Sequence, residues 1–138
     1  MNITPYIRKR KMQNKPKKHI LIIDDDEEII ELLTDFFEGN GFSVGTASNG
    51  LEGLDYFNRR LPDLVISDLL MPGEHGLNVV KTIKEKYFIP VIMISSIYKE
   101  GQLKNIMEEH FIEAFFEKPL HLDVLLEKVN SILNARPV

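Results

Sequence analysis

Residues 19–26 read HILIIDDD, an apolar run that ends in three consecutive aspartates. Residues 20–23 are all aliphatic, which is typical of a strand covered on both faces of a parallel sheet. The carboxyl ends of parallel strands lie side by side, and ligands bind in the crevice beyond them. Asp24 and Asp25 are therefore predicted to stand at the mouth of a binding site.

Outward from this stretch, short apolar runs alternate with amphipathic stretches of ten or more residues, the pattern of repeated βα units. The predicted strands cover residues 19–23, 42–47, 63–67, 90–94 and 112–116. The predicted helices cover residues 27–38, 51–60, 76–86, 100–110 and 121–134. Five units are too few for an eight-fold barrel. The predicted fold class is therefore α/β, an open doubly wound parallel sheet.

Two details of this pattern are specific enough to be checked. Residues 42–47 are less apolar than the other predicted strands, which favours a position at the edge of the sheet. In the second helix, Leu51, Leu54 and Phe57 are expected to face the core, because they recur at helical spacing.

The composition limits the class of protein. The chain has 138 residues, of which 43% are hydrophobic and 28% charged, values that argue against disorder of the whole chain. It contains no cysteine, which excludes disulfides, thiolate metal sites and cysteine nucleophiles. No apolar run approaches the roughly 18 residues of a membrane span, and no secretory signal is recognisable. A cytoplasmic location without membrane contact is expected.

Charge is distributed unevenly along the chain. The whole sequence has 17 basic and 21 acidic residues, a net charge of −4. Residues 1–18 hold seven of the basic residues and no acid, so residues 19–138 carry ten basic against 21 acidic residues. We expect a basic, disordered tail over residues 1–18 and a folded domain over residues 19–138. Contact of the tail with nucleic acid or an acidic partner is the alternative, whereas the acidic folded domain is not expected to bind nucleic acid.

The three consecutive aspartates have two interpretations. Capping of the following helix explains Asp26, because acids stabilise the positive end of a helix. Asp24 and Asp25 come earlier, where the strand ends, and a cation would relieve the repulsion between them. Mg²⁺ suits one or two carboxylates plus water, and Mn²⁺ prefers similar ligands. We therefore predict Asp24 and Asp25 as metal ligands.

Polar residues also follow three later strands. Asp68 and Ser95 each come directly after a predicted strand, and Lys118 comes two residues after the last one. Taken singly, each is commonplace, since Asp often begins a turn. Taken together, acid, hydroxyl and amine at neighbouring strand ends predict one pocket. Such a pocket can hold a hard divalent cation beside a carboxylate that attacks phosphorus.

Four segments together resemble the receiver domain of bacterial two-component response regulators. They are IIDDD at 22–26, PDLVISD through MP to Gly at 62–76, PVIMISS at 90–96 and FFEKP at 115–119. All four occur in the family's order and spacing. The resemblance covers residues 19–134, and residues 1–18 fall outside it.

The resemblance implies a flavodoxin-like sheet of strand order 2-1-3-4-5 and a phosphoacceptor function. Asp68 would accept a phosphoryl group from the phosphohistidine of a sensor histidine kinase or a histidine phosphotransfer protein. Asp24, Asp25 and Asp68 would bind Mg²⁺ together with the backbone carbonyl of Leu70. Ser95 and Lys118 would then bind the phosphoryl oxygens.

The resemblance also implies a signalling output. Ser95 and Phe115 would form a conformational switch, and the Lys118–Pro119 peptide bond would be cis. A downstream protein of unknown identity would read the switch, and a phosphorylation-dependent homodimer stays open. The chain would catalyse only its own phosphotransfer and slow dephosphorylation, so an enzyme in the usual sense is not expected.

Three other functions compete with the phosphoacceptor role. A phosphatase of the haloacid dehalogenase class would use Asp24 as nucleophile and Asp26 as acid/base, but it leaves Asp68 without a role. A degenerate receiver could act as a docking module without phosphorylation, although all five polar site residues are retained. Flavin binding is disfavoured, because no Ser/Thr/Gly-rich phosphate loop follows the first strand.

Overall fold

The computed structural model describes residues 16–69, 76–96, 105, 108–109 and 111–135. The strands are β1 His19–Ile23, β2 Ser43–Ala47, β3 Leu64–Asp68, β4 Val91–Ser95 and β5 Ala114–Glu117. The helices are α1 Glu27–Gly39, α2 Gly50–Tyr56, α3 Gly76–Tyr87 and α4 Leu122–Ala135. All strand pairs are parallel, in the order β2-β1-β3-β4-β5. The predicted doubly wound sheet is confirmed, with β2 at an edge.

Both faces of the sheet are covered by helices. All residues of β1, β3 and β4 are buried, as expected for strands with helices on both sides. Because side chains alternate along a strand, Ile20 and Ile22 join one apolar cluster and Leu21 and Ile23 join the other. The first cluster includes residues of α1 and α4, and the second includes residues of α3. The sheet therefore forms the middle layer and holds its strand ends in fixed positions.

Helix α1 begins where the aspartate run ends. The Asp26 side chain caps it by accepting a hydrogen bond from the backbone N–H of Glu28 at 2.9 Å. The predicted capping role of Asp26 is thus what the geometry shows. Asp24 and Asp25 lie before the cap, between the end of β1 and the helix.

The inward face of α2 differs from the prediction at Leu51, which is 69% exposed. The buried positions of the helix are Gly50 and Gly53, which share a face with Leu54 and with Phe57 at the helix end. A Cβ at position 53 would lie 2.6 Å from Cδ1 of Ile23, so the glycine lets the helix approach β1 closely. The expectation for Leu51 was wrong because glycine has no side chain and leaves no trace in a hydropathy pattern.

Two strand boundaries shift in a way that matters for the site. β3 and β4 each end one residue later than predicted, so Asp68 and Ser95 are the last strand residues rather than the first loop residues. Asp68 is in register with Ile94, and Ser95 is in register with Glu117. The sheet ladder therefore fixes the backbone of both residues.

The helix predicted at residues 100–110 falls largely outside the described residues. Asn105, Glu108 and Glu109 are described, and all three are helical.

Within the described part of the chain, no helix combines the length and the apolar content that crossing a bilayer requires.

Candidate phosphoacceptor site

Polar side chains meet at the carboxyl edge of the sheet. Asp24 follows β1, Asp68 ends β3, Ser95 ends β4 and Lys118 follows β5, four strands that are neighbours in the sheet. The backbone N–H of Asp24 donates to Ala47 O at 3.1 Å, and that of Lys118 donates to Ser95 O at 2.9 Å. These bonds continue the sheet's pairing past the strand ends. We call these four residues and Asp25 the carboxyl-edge site.

Three carboxylates of the site stand close together. One oxygen each from Asp24, Asp25 and Asp68 can be chosen so that all three lie within 4.8 Å of one another. Asp24 is completely buried and Asp68 is 5% exposed, whereas Asp25 is exposed. Like charges at such distances repel strongly where water is scarce. The cluster therefore needs positive charge nearby.

The donor set fits a hard divalent cation. All the side-chain donors of this cluster are carboxylate oxygens, and oxygen ligands suit Mg²⁺ or Mn²⁺ rather than a softer metal. Asp25 provides the solvent-facing side of the cluster, which leaves room for the water ligands that Mg²⁺ usually keeps. The predicted ligands Asp24, Asp25 and Asp68 are thus together, while Leu70 lies outside the described residues.

Lys118 supplies the positive charge within the chain itself. Its Nζ donates a hydrogen bond to Oδ2 of Asp24 at 3.0 Å and lies 3.6 Å from Oδ2 of Asp68. Burial on its own would lower the pKa of Lys118. The hydrogen bond and charge of Asp24, then the charges of Asp68 and Asp26, outweigh that effect and raise the pKa above its ordinary value. The side chain therefore stays an ammonium and bridges the two buried aspartates.

Asp24 is held on both sides of its carboxylate. Oδ1 accepts a hydrogen bond from the backbone N–H of Asp26 at 2.9 Å, while Oδ2 accepts the bond from Lys118. With no exposed surface, this carboxylate is fixed in orientation. The Asp24 carboxylate therefore holds the Lys118 ammonium in position and adds negative charge to the acidic cluster.

Ser95 and Phe115 occupy neighbouring strands at this edge. Ser95 is 1% exposed, and Phe115 is half-buried against the apolar cluster that includes residues of α3. Phe115 is in register with Met93, two residues before Ser95 in β4. The peptide bond between Lys118 and Pro119 is cis.

A contact that sequence reasoning missed lies under Asp68. The backbone N–H of Gly76 donates to Leu69 O at 3.1 Å. A Cβ at position 76 would lie 2.4 Å from the carbonyl oxygen of Asp68 and 2.7 Å from that of Leu69. Only a glycine lets α3 begin this close to the strand end. The sequence shows Gly76 as the first residue of a predicted helix. It does not show that the carbonyl oxygens of Asp68 and Leu69 lie opposite this glycine.

The chain is similar to proteins of one family in both sequence and fold. A family model described as response regulator receiver domain matches residues 20–130. The chain is 32% identical over 119 residues to the polar-differentiation response regulator DivK of Brucella anthropi, which covers 84% of this chain and 96% of DivK. A two-component response regulator from Clostridium difficile has a TM-score of 0.82 and 26% identity, over 86% of this chain and 98% of that one. A CheY-like receiver domain protein of Methanospirillum hungatei JF-1 has a TM-score of 0.79 and 25% identity, over 86% and 94%.

Proposed function

Because this chain belongs to the response regulator receiver family, we propose that Asp68 accepts a phosphoryl group from a histidine kinase or histidine phosphotransfer protein. The observation that carries the proposal is the position of Lys118, whose ammonium lies between a fixed carboxylate, Asp24, and the carboxylate at the end of β3, Asp68. That arrangement supports Asp68 as the nucleophile, with Lys118 beside it to neutralise charge on the transferring group.

The transfer itself is a substitution at phosphorus. A carboxylate oxygen of Asp68 attacks the phosphorus atom, and the bond from phosphorus to the histidine nitrogen breaks. The electron pair of that bond returns to the imidazole ring, and the product on this chain is an acyl phosphate. Little covalent chemistry is needed beyond this, so positioning and charge neutralisation supply most of the rate.

Each remaining site residue has a part in this scheme. Lys118 neutralises charge on the phosphoryl oxygens, and the Ser95 hydroxyl hydrogen-bonds one of them. Asp24, Asp25 and Asp68, with the carbonyl of Leu70, would hold Mg²⁺ or Mn²⁺. When bound, the cation neutralises charge on the cluster and on the incoming phosphoryl group.

The phosphatase alternative is not favoured. It requires Asp24 to attack phosphorus, yet Asp24 is fully buried and both of its oxygens accept hydrogen bonds within the chain. It also requires Asp26 as an acid/base, yet that carboxylate caps α1. Asp68 is 5% exposed and sits at a strand end, which suits the nucleophile better.

The output would be a change in a partner-binding face. A phosphoryl group on Asp68 adds charge and acceptor oxygens that draw Ser95 inward, and Phe115 moves with it. A downstream protein, or a second copy of the chain, reads the new surface. In this scheme residues 19–138 form the receiver domain of a cytoplasmic protein, and residues 1–18 form a basic tail.

Intact mass after incubation with a small-molecule phosphodonor, with Mg²⁺ or with chelator, tests the proposal. We expect one phosphoryl adduct that requires Mg²⁺ and is absent in Asp68→Asn. Asp26→Asn is the matched control, because asparagine also caps helices, and it should keep the adduct. Absence of any adduct would instead support the docking module. Continuous phosphate release that persists in Asp68→Asn and stops in Asp24→Asn would support the phosphatase.

A further inference from the structure

Two phenylalanines at the amino edge of the sheet have an unusual backbone. Phe88 directly follows α3, and Phe111 follows the helical residues 108–109. Their φ angles are 55° and 54°, in the left-handed region, and their side chains are 78% and 76% exposed. Among the described residues, these are the non-glycine positions with positive φ.

Neither the backbone nor the core favours phenylalanine here. A left-handed conformation costs a non-glycine residue about 1–2 kcal/mol, and glycine or asparagine usually occupies the position after a helix. An aromatic ring normally offsets such a cost by burial, but these rings face solvent. Both phenylalanines combine an unfavourable left-handed backbone with a solvent-exposed ring. This combination indicates that the rings bind another group of atoms.

The two rings belong to one surface. Phe88 and Phe111 each come three residues before a strand, β4 and β5 respectively, and Leu61 comes three residues before β3. Leu61 is 58% exposed. These three strands are neighbours in the sheet. Pro90 O, just before β4, accepts a bond from Val65 N of β3, and Glu113 N, just before β5, donates to Val91 O of β4. We call Leu61, Phe88 and Phe111 the amino-edge patch.

The patch is too small for a stable dimer and large enough for a peptide segment. Three side chains so exposed present on the order of 400 Å² of apolar surface. A standard protein interface buries about 800 Å² on each partner. A short stretch of chain with a few apolar side chains fits this area better than a second folded copy.

The charges around the two phenylalanines favour a basic segment. Among the described residues within three positions before the rings, Glu85, Glu108 and Glu109 are exposed acids, and Lys86 is the one exposed base. Lys84 is paired with Glu113 in a salt bridge. Arg59 and Arg60 lie at the Leu61 end, where Arg59 stands over the Tyr56 ring at 5.3 Å from its centroid. An anionic surface such as a lipid headgroup layer would be repelled by the acids at the phenylalanine end.

The chain itself contains a segment of the required composition. Residues 3–7 read ITPYI, and residues 8–11 read RKRK. This segment reaches the fold through Pro16, Lys17 and Lys18, which lead into β1 at the same edge as the patch. We propose that residues 3–11 dock on the amino-edge patch, with Ile3, Tyr6 and Ile7 against the rings and residues 8–11 facing the acids.

The chain between residues 3–11 and β1 is long enough to reach the amino-edge patch. β5 is the third strand from β1, about 14 Å away at the usual strand spacing. Ten residues lie between Ile7 and Lys18, and an extended chain covers roughly 3.3–3.6 Å per residue. Because the segment is tethered, its effective concentration at the patch is on the order of millimolar. Weak contacts are then sufficient for docking.

A spin label on the full-length chain tests the docking directly. The chain has no cysteine, so Asn2→Cys provides a single attachment site for a nitroxide. We expect selective loss of backbone amide signals around residues 87–90 and 111–113, and unchanged signals at the carboxyl edge. In Phe88→Asn/Phe111→Asn the loss should fall at least threefold, while the fold is kept because asparagine tolerates the left-handed region.

Leu51→Ser is the matched control, because Leu51 is exposed to a similar degree at the opposite edge of the sheet. It should leave the signal loss unchanged. The proposal is overturned if the loss is uniform, if it centres on the acidic residues 24–28, or if it persists in the double asparagine variant. Signal loss that occurs only between spin-labelled and unlabelled chains in a mixed sample would also overturn it, in favour of a second copy.

Discussion

The two ends of the same sheet place opposite kinds of side chain in unfavourable surroundings. At the carboxyl edge, charges are buried: Asp24 has no exposed surface and Asp68 has 5%. At the amino edge, apolar rings are exposed, with Phe88 at 78%. Folding alone favours neither arrangement. Between the two edges, every residue of the central strands β1, β3 and β4 is buried. The side chains that stabilise the fold therefore lie in the middle of the sheet, and those proposed to bind lie at its two edges.

The amino edge also contains a buried histidine, His19, whose two ring nitrogens both have polar partners. His19 is 3% exposed, and its ring nitrogens Nδ1 and Nε2 lie 2.6 Å from Oγ of Ser43 and from the hydroxyl of Tyr56. Its backbone N–H donates to Oδ2 of Asp63 at 2.7 Å. A Cβ at Gly45 would lie 2.2 Å from the Tyr56 hydroxyl, so the glycine makes room for this network. His19 is therefore a structural residue, unlike the aspartates at the other edge.

The largest effect is expected from breaking the charge balance of the carboxyl edge. Lys118→Met leaves the fully buried Asp24 carboxylate without its ammonium partner, which should lower the free energy of unfolding by about 3 kcal/mol in chelator. Mg²⁺ should recover part of that loss. Urea unfolding measures both values, and Lys128→Met on the exposed side of α4 is the control. A loss below about 1 kcal/mol would mean that Lys118 does not balance the cluster.

A smaller effect is expected from the backbone contact between Gly76 and Asp68, the proposed nucleophile. Gly76→Ala puts a methyl group against two carbonyl oxygens that cannot move independently, so we expect a loss of about 2 kcal/mol and a slower phosphorylation of Asp68. Gly39→Ala is the matched control, because a Cβ there meets nothing within 4 Å. Equal stability of the two variants would show that α3 can shift without disturbing the strand end.

The smallest effect concerns the histidine of the amino edge. Burial, followed by the Arg60 charge, lowers the pKa of His19, against the opposing effects of Asp63 and Ser43. Below the ordinary histidine value of about 6.5 the unfolded chain therefore binds more protons than the folded chain. Stability should fall as the pH drops through that value, by at most about 1.4 kcal/mol per pH unit. The difference between wild type and His19→Gln in urea unfolding isolates this contribution, and identical pH profiles would contradict it.

Sequence reasoning predicted well the features that depend on a few consecutive residues. Each apolar run followed by one polar residue identifies a strand end, and parallel strands bring such ends together. The family resemblance added the strand order, which the structure confirms. The clustering of Asp24, Asp25, Asp68 and Lys118 followed from these two facts.

The features that were missed depend on contacts between distant residues. The glycines of α2 and Gly76 matter because of the atoms opposite them, and a single sequence does not show those atoms. The network of His19 joins residues 24 to 44 positions apart. The exposure of Phe88 depends on where α3 ends, which a hydropathy pattern fixes only to within a few residues. The roles of Ser95 and Phe115 stay predictions.

The proposed function requires that Asp68, rather than Asp24 or Asp25, is the carboxylate that becomes phosphorylated. We would phosphorylate the chain with a small-molecule donor in Mg²⁺, reduce the acyl phosphate with borohydride and map the peptides by mass spectrometry. Reduction converts a phosphorylated aspartate to homoserine and leaves a free carboxylate unchanged. We expect homoserine at position 68, with aspartate retained at positions 24 and 25. Homoserine at position 24 or 25, with Asp68 unchanged, would contradict it.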